Sequence, residues 1–303
     1  MGRPDVSASA APTASRCFCG GRFDGVVARV GSYRYLACDC CGLARLDPMP
    51  STEDVRDFFD PSYFTGGRVG GYDDYAADDA IHVRNARLRL DRLAADLPAG
   101  PVRLLDVGCA FGHVLRDAQS RGWEVQGVEV CEEIADHARR GTASRVDADL
   151  ADVPSGSRGS FDAVTMFQVI EHVPSPDLDL AKVHSLLRPS GLVALETWNR
   201  SSVVARLFGG HWQLLSPPSV LWAYDRRSLT LLLRRAGFDL VRYRRTWKFV
   251  SLRFSASLLR DGGQPGIAAR VGRIAARMPL RDRALPYALG DLVWVVARRR
   301  EDG

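Results

Sequence analysis

Residues 104–115 read LLDVGCAFGHVL, and the fold follows from how this stretch is taken. Leu104 and Leu105 run into Asp106. Three small residues follow, Gly108, Ala110 and Gly112, before Val114 and Leu115 resume an apolar face. That order predicts a buried strand, a tight turn and a helix start. Glycine is needed where a backbone turns sharply or lets a ligand approach closely, and a helix N-terminus offers free N–H groups to that ligand. The triplet alone fits any strand–turn–helix, so the flanking segments decide.

Outward from the turn the same unit repeats. A helix is expected over Val114–Arg121, then a strand Val125–Val130 with Glu129 near its end. A helix Ile134–Arg140 leads to a short strand Val146–Leu150 carrying Asp149. Ala163–Phe167 reads as a buried strand opening on a polar cluster, Gln168, Glu171 and His172. A helix Asp177–Leu187, a strand Leu192–Thr197, a helix Leu229–Ala236 and strands Phe238–Arg245 and Leu292–Ala297 complete the series. Strands alternating with helices imply an α/β fold with a doubly wound, mostly parallel sheet. Ligands of such sheets lie at the carboxyl ends of the strands. Asp106, Gly108, Glu129, Asp149, Gln168–His172 and Glu196–Asn199 all fall there. Glu129 follows Asp106 by 23 residues, a spacing that places an acid to accept ribose hydroxyls. Asp149 is placed to accept from an adenine amino group, with the Leu150 N–H near a ring nitrogen.

Taken together, these motifs resemble the class I S-adenosylmethionine-dependent methyltransferases. DVGCAFG resembles the family's first motif, with Ala110 where its second glycine stands. GVEV resembles the acidic end of the second strand, and VDADL, FDAVTMFQVIEHV and LLRPSGLVALETWN resemble the later motifs. Ser190 stands at a usual glycine, and the match runs from Val102 to Asn199. The resemblance implies an enzyme with a seven-stranded Rossmann-like sheet whose last two strands pair antiparallel. It also implies S-adenosylmethionine contacts at Asp106, Gly108, Ala110, Gly112, Glu129, Val130, Asp149, Leu150, Phe167 and Gln168. In-line displacement at the sulfonium carbon needs alignment, exclusion of water and often removal of a proton. His172 is the leading candidate for the base, because imidazole titrates near neutrality. Glu171 and His211 are further catalytic candidates. Tyr63, Tyr72, Tyr75 and Trp212 are candidates for contact with the acceptor.

Five of the seven cysteines fall between Cys17 and Cys41. They form CFCGGRFDG and CDCCGL, separated by the strand-like runs Val26–Val30 and Tyr33–Leu36. Two knuckles across a hairpin suit a tetrahedral zinc ion, and four thiolates leave no open position, so the role is structural. The expected ligands are Cys17, Cys19, Cys38 and Cys41. Cys40 is either spare or a substitute for Cys38 or Cys41. CDCCGLARLDPMPS…SYF resembles a subset of the methyltransferases with an N-terminal cysteine ribbon, often tied to sugar, polysaccharide and natural-product pathways. The implied acceptor is a small molecule of that kind, methylated on O, C or N. The alternative is an RNA base methyltransferase whose ribbon binds RNA, although only RYRRTWK at 242–248 interleaves basic and aromatic residues.

Composition bounds the rest. The content is 46% hydrophobic and 25% charged over 303 residues, ordinary for a globular chain. No apolar run reaches the roughly 18–20 residues of a membrane span. Residues 1–16 are small and polar without an apolar core segment, so a disordered leader and a cytoplasmic protein are expected. The ribbon then covers 17–50, a helical and glycine-rich flap linker 51–100, and the methyltransferase domain 101–303. Lid segments are expected at about 199–225 and 249–289. Only Lys182 and Lys248 among the 41 basic residues are lysine. Charge is uneven: 20 basic and 7 acidic residues follow from Arg200 onward, against 21 and 29 before it. A basic half suits an anionic acceptor or an acidic carrier protein. Arg270, Arg273 and Arg277 are spaced to share a helix face.

Overall fold

The computed structural model describes residues 16–66, 71–72, 74–212, 214–253 and 283–301. Residues 1–15 of the expected leader, and Arg260, Arg270, Arg273, Arg277 and Arg281, lie outside the described residues.

Three strands open the chain as an antiparallel meander: β1 (Phe23–Val30), β2 (Tyr33–Cys38) and β3 (Ala44–Asp47). Helix α1 (Thr52–Phe58) starts where Ser51 and Asp54 satisfy one another's backbone N–H groups in a capping box. Then come α2 (Pro61–Phe64) and the long α3 (Asp79–Ala94). From there strands and helices alternate: β4 (Arg103–Val107), α4 (His113–Ser120), β5 (Glu124–Val128), α5 (Glu132–Thr142), β6 (Val146–Asp147), β7 (Phe161–Phe167), α6 (Pro176–Leu186) and β8 (Leu187–Trp198). The chain ends with α7 (Val203–Phe208), β9 (Trp222–Ala223), α8 (Arg226–Arg235), β10 (Phe238–Arg245), β11 (Lys248–Ser251), β12 (Ala284–Tyr287) and β13 (Leu292–Arg299).

Seven strands make the main sheet in the order β10-β13-β8-β7-β4-β5-β6, and only β13 runs against the others. The central strands are buried on both faces, as in RLLDV and FDAVTMF, which is why they read as near-continuous apolar runs. Strand order reverses beside β4, with β5 and β6 on one side and β7 and β8 on the other. A crevice opens at the carboxyl end of such a reversal. The expected strand Val146–Leu150 is shorter than anticipated. Asp149 accepts the Ala151 N–H at 2.9 Å and turns the chain into a 3-10 helix, Leu150–Asp152.

The ribbon and the first lid segment, expected as separate stretches, are joined. β9 adds to β3 through Ala44↔Ala223 and Arg45↔Trp222. The Tyr35 hydroxyl donates to the Val220 carbonyl at 2.7 Å, and the Leu46 N–H donates to the Leu221 carbonyl at 2.8 Å. Cys17, Cys38, Cys41 and Leu43 belong to one apolar cluster with Ile170, Tyr224 and Leu229. Leu43 and Leu46 are fully buried, so β3 cannot stand as a free edge without exposing them. The two ends of the second expected lid pair with each other, Lys248↔Tyr287 through Ser251↔Ala284. Among the described residues no helix is long and apolar enough to cross a membrane.

Candidate active site

A cleft of about 410 Å³ runs along the carboxyl ends of β7, β4, β5 and β6 and is roofed by α1 and α3. The turn after β4 forms its floor. Gly108 sits at φ +71°, and a Cβ there would come within 2.5 Å of Val169, so only glycine lets the turn pass under the loop after β7. Ala110 holds φ +46° without being glycine, a strained conformation of the sort retained at binding sites. Glu129 fixes it: one carboxylate oxygen accepts the Ala110 N–H at 2.9 Å and the other accepts the Cys131 N–H at 3.1 Å. Each oxygen keeps a second lone pair for a ligand.

Acids line this outer end. Asp106 is 3% exposed and accepts the Thr165 hydroxyl at 2.6 Å. Burial pushes its carboxyl up to about 7. Burial likewise raises Glu129. Asp149 pairs with Arg56 of α1 at 2.5 Å. Asp179 is raised to about 6 by burial and by the charge of Asp149. Ala110, Val130, Leu150, Phe167 and Gln168 complete the wall beside Asp106, Gly108, Glu129 and Asp149. Gly112 does not reach it. It caps α4 at φ +78°, and a Cβ there would press on Ala138 of α5 at 3.2 Å, so its service is to helix packing.

The inner end is aromatic and basic; its tyrosines and Gln168 are expected site residues, whereas Arg89, Asn85 and Lys248 are not. Tyr63, Tyr72 and Tyr75 all line the cleft. Tyr72 meets Tyr63 and Tyr75 edge-on at 5.9 and 4.7 Å, and Tyr75 stacks on His82 at 3.8 Å. The flap expected within 51–100 is thus an aromatic wall in its described parts. Arg89 of α3 donates from Nε to Glu196 Oε1 at 3.0 Å, and Glu196 is fully buried. Gln168 Nε2 donates to the same oxygen at 3.3 Å, and Lys248 Nζ donates to Gln168 Oε1 at 2.7 Å. Gln168 holds φ +58°, a second strained residue in the wall. Lys248 is 7% exposed, and burial lowers its ammonium to about 8. Asn85 clasps the neighbouring strand residue, giving to the Phe249 carbonyl at 2.8 Å and accepting its N–H at 2.7 Å.

Of the catalytic candidates, His172 alone lines the cleft. Its Nδ1 lies 2.7 Å from the Ser219 carbonyl. A carbonyl only accepts, so Nδ1 carries the hydrogen and Nε2 is left as the proton acceptor. The ring meets Phe59 edge-on at 5.4 Å. Glu171 turns the other way: it is buried, takes the Thr197 hydroxyl at 2.8 Å and is absent from the cleft wall. Neighbouring residues of the chain do not share a face here. His211 is exposed on the 3-10 helix Gly209–His211, away from the cleft. Trp212 is buried instead of lining the cleft, and its Nε1 donates to Asp291 Oδ2 at 3.1 Å. These three are therefore placed behind or outside the site.

At the other end of the ribbon, Cys17, Cys19, Cys38 and Cys41 bring their sulfurs within 4.8 Å of one another. Cys17–Cys41 is 3.6 Å and Cys19–Cys38 is 3.4 Å. The edge of a zinc–thiolate tetrahedron with bonds of about 2.3 Å is about 3.8 Å, so four sulfurs are gathered at metal-binding spacing. Gly21 makes room, since a Cβ there would sit 2.6 Å from the Cys38 sulfur. Burial drives the Cys17 thiol up, and the Cys41 thiol up to about 12; a bound cation reverses that pressure. Cys40 is exposed and stands outside the four.

The fold, the reversal beside β4 and the acid at the end of β5 define a methyltransferase-type α/β protein. A methyltransferase-domain family profile matches residues 78–243, more than half of the chain, and the chain belongs to that family. Among curated relatives, a ubiquinone biosynthesis O-methyltransferase of Xanthomonas oryzae pv. oryzae is 35% identical over 127 residues, covering 40% of this chain and 53% of its own. The counterpart of Xanthomonas campestris pv. campestris is 37% identical over 128 residues, with the same coverage. The chain thus spans about half the length of the curated relatives it matches. Among solved structures, a 1,6-didemethyltoxoflavin-N1-methyltransferase of Burkholderia thailandensis, holding its substrate and S-adenosylhomocysteine, superposes with a TM-score of 0.51. It is 17% identical and covers 90% of this chain and 97% of its own. A Thermotoga maritima S-adenosylmethionine-dependent methyltransferase gives 0.51 at 16% identity, covering 78% and 99%. These structures share the fold.

Proposed function

We propose that the cleft binds S-adenosylmethionine and transfers its methyl group to a small-molecule acceptor. The carrying observation is Glu129, which ends β5 inside the cleft while its carboxylate holds the turn after β4 through Ala110. The donor set fits the cofactor. Asp106, Glu129 and Asp149 make the outer end anionic, which suits a sulfonium and an ammonium group and repels a dinucleotide's pyrophosphate. Asp106, Gly108 and Ala110 hold the amino-acid end, Glu129 and Val130 the ribose, Asp149 and Leu150 the base. Phe167 and Gln168 would complete the wall around the bound cofactor. When bound, the cofactor supplies an electrophilic methyl carbon.

The chain's own groups do the rest. Tyr63, Tyr72, Tyr75 and Phe59 exclude water and flank the acceptor, and His172, held by the Ser219 carbonyl at Nδ1, takes its proton at Nε2. The ribbon cysteines hold a structural zinc ion, which closes the four-sulfur shell and leaves chemistry to the cleft. The relatives' names favour methylation on oxygen.

Calorimetry with S-adenosylhomocysteine tests the reading. Micromolar binding to the full chain, lost in Asp106→Ala, is expected. An Asp106→Ala protein that binds as the parent does overturns the assignment. His172→Ala should lower turnover about 100-fold or more with cofactor binding unchanged; full turnover removes the base.

A further inference from the structure

Resting on the zinc reading of the four ribbon sulfurs, we propose that the fifth cysteine, Cys40, is a modification site. A peroxide oxidises its sulfur, and Cys19 leaves the four-sulfur shell to close a Cys19–Cys40 disulfide. Exposure and proximity carry this together. Cys17, Cys38 and Cys41 are buried, Cys19 is partly exposed and Cys40 is exposed. An oxidant arriving from solvent therefore meets Cys40 first, since susceptibility follows access to the sulfur. Cys40 also stands outside the four gathered sulfurs, so its lone pairs are not committed to a metal bond.

Proximity comes from Gly21, where the two knuckles meet. Its N–H donates to Cys19 Sγ at 3.5 Å. A Cβ built on it would come within 2.7 Å of Cys40 Cβ and 2.6 Å of Cys38 Sγ. Cys19 and Cys40 thus flank one residue that puts no side chain between them. The Cys19 sulfur is in turn the group that acts most on the Cys40 thiol, through a hydrogen bond. Gly20, at φ +92° with open space around it, follows Cys19, so the backbone there has room to let the sulfur swing. The other ribbon sulfurs are poorer partners. Cys41 is the next residue, and a bridge to it would close a ring too small for relaxed disulfide geometry. Cys38 is buried, and its sulfur faces Cys19 at 3.4 Å.

The chemistry balances with the peroxide as the one oxidant. A lone pair on the Cys40 sulfur forms a bond to a peroxide oxygen as the O–O bond breaks. The product is a sulfenic acid, and the departing oxygen leaves as water with the thiol's proton. The Cys19 thiolate then attacks the sulfenic sulfur. The S–S bond forms, the S–O bond breaks, and hydroxide leaves and is protonated by solvent. Two electrons pass from the two sulfurs to the peroxide. Three sulfurs remain in the shell, one short of the four that close it.

The test treats the reduced, zinc-loaded full chain with graded hydrogen peroxide. A pyridylazo-resorcinol dye reports released zinc, and mass spectrometry maps disulfides after free thiols are alkylated. The parent is expected to release zinc as a Cys19–Cys40 disulfide appears, and dithiothreitol with added zinc should reverse both. Cys40→Ser should hold as much zinc as the parent before oxidation and release it about tenfold or more slowly. Equal release rates in the parent and Cys40→Ser overturn the proposal. So does a disulfide confined to Cys17, Cys19, Cys38 and Cys41, or a Cys40 carried to sulfinic acid while zinc is retained. A reduced chain that takes up no zinc would instead break the shell reading; the disulfide map then still decides for or against Cys40.

Discussion

The two ends of the cleft are built by different means. The outer end, Asp106, Glu129 and Asp149, comes from short strand-end motifs, Asp106 within the last two residues of β4, Glu129 just after β5 and Asp149 just after β6. The inner end, Arg89, Gln168, Glu196 and Lys248, comes from a helix, two strand ends and a two-stranded ribbon spread over some 160 residues. Ends assembled locally are rigid and generic, because the sheet places them. Ends assembled at long range depend on packing between distant elements.

That contrast can be broken or sharpened experimentally. The largest effect should come from Arg89→Met. It leaves Glu196 buried without its main partner, and loss of one member of such a pair costs about 3–5 kcal/mol. Thermal unfolding should show a drop of many degrees; a change under 1 kcal/mol would mean that the inner end does not depend on this pair. Next, Glu129→Ala should weaken S-adenosylhomocysteine binding about 100-fold by calorimetry, since it removes two oxygen acceptors and frees the Ala110 turn. A loss smaller than fivefold would make the outer end less decisive than its geometry implies.

Asp106 gives a smaller, pH-dependent effect. Its folded pKa, about 7, lies above the ordinary 3.8. The folded ligand-free protein therefore binds this proton more tightly than the unfolded chain, and stability from this group falls as pH rises from about 4 to about 7. Melting followed from pH 5 to 8 should show that decline, flattened in Asp106→Asn. A decline of equal size in the variant would assign it to other groups. Over the same range, affinity for a cofactor carrying an ammonium should rise as Asp106 ionises. The smallest effect belongs to Arg56→Ala. The Arg56–Asp149 pair is substantially exposed, so it contributes at most about 1 kcal/mol. Freed of it, Asp149 should accept a ligand slightly better, by threefold or less, with weaker salt dependence. A tenfold loss would show that Arg56 itself touches the ligand.

Legibility in the sequence follows the same division. The strand–helix alternation and the acids after each strand could be read because periodicity and spacing are local. Cys17, Cys19, Cys38 and Cys41 were legible for that reason also, and the structure separates Cys40 from them. Gly112 misled because a glycine beside a ligand turn and a glycine beside a helix look alike in one dimension. Glu171, His211 and Trp212 misled because being near a motif in the chain does not settle which way a side chain faces. Arg89 was hidden in the apolar pattern of its helix. Lys248 carried a faint signal: in a chain that otherwise uses arginine for nearly every cation, a lysine next to aromatic residues stands out.

One joint links the cysteine ribbon to His172. Ser219, whose carbonyl sets the His172 tautomer, is followed by Val220, Leu221, Trp222 and Ala223, all of them hydrogen-bonded or paired to the ribbon or to Glu171. The cysteine-bearing ribbon is thus joined to the imidazole through one short segment, 219–223, rather than being a separate appendage. Under the proposed zinc and base roles, treating the protein with a chelator should slow turnover while cofactor affinity holds; turnover unchanged by the chelator would separate the ribbon from the cleft.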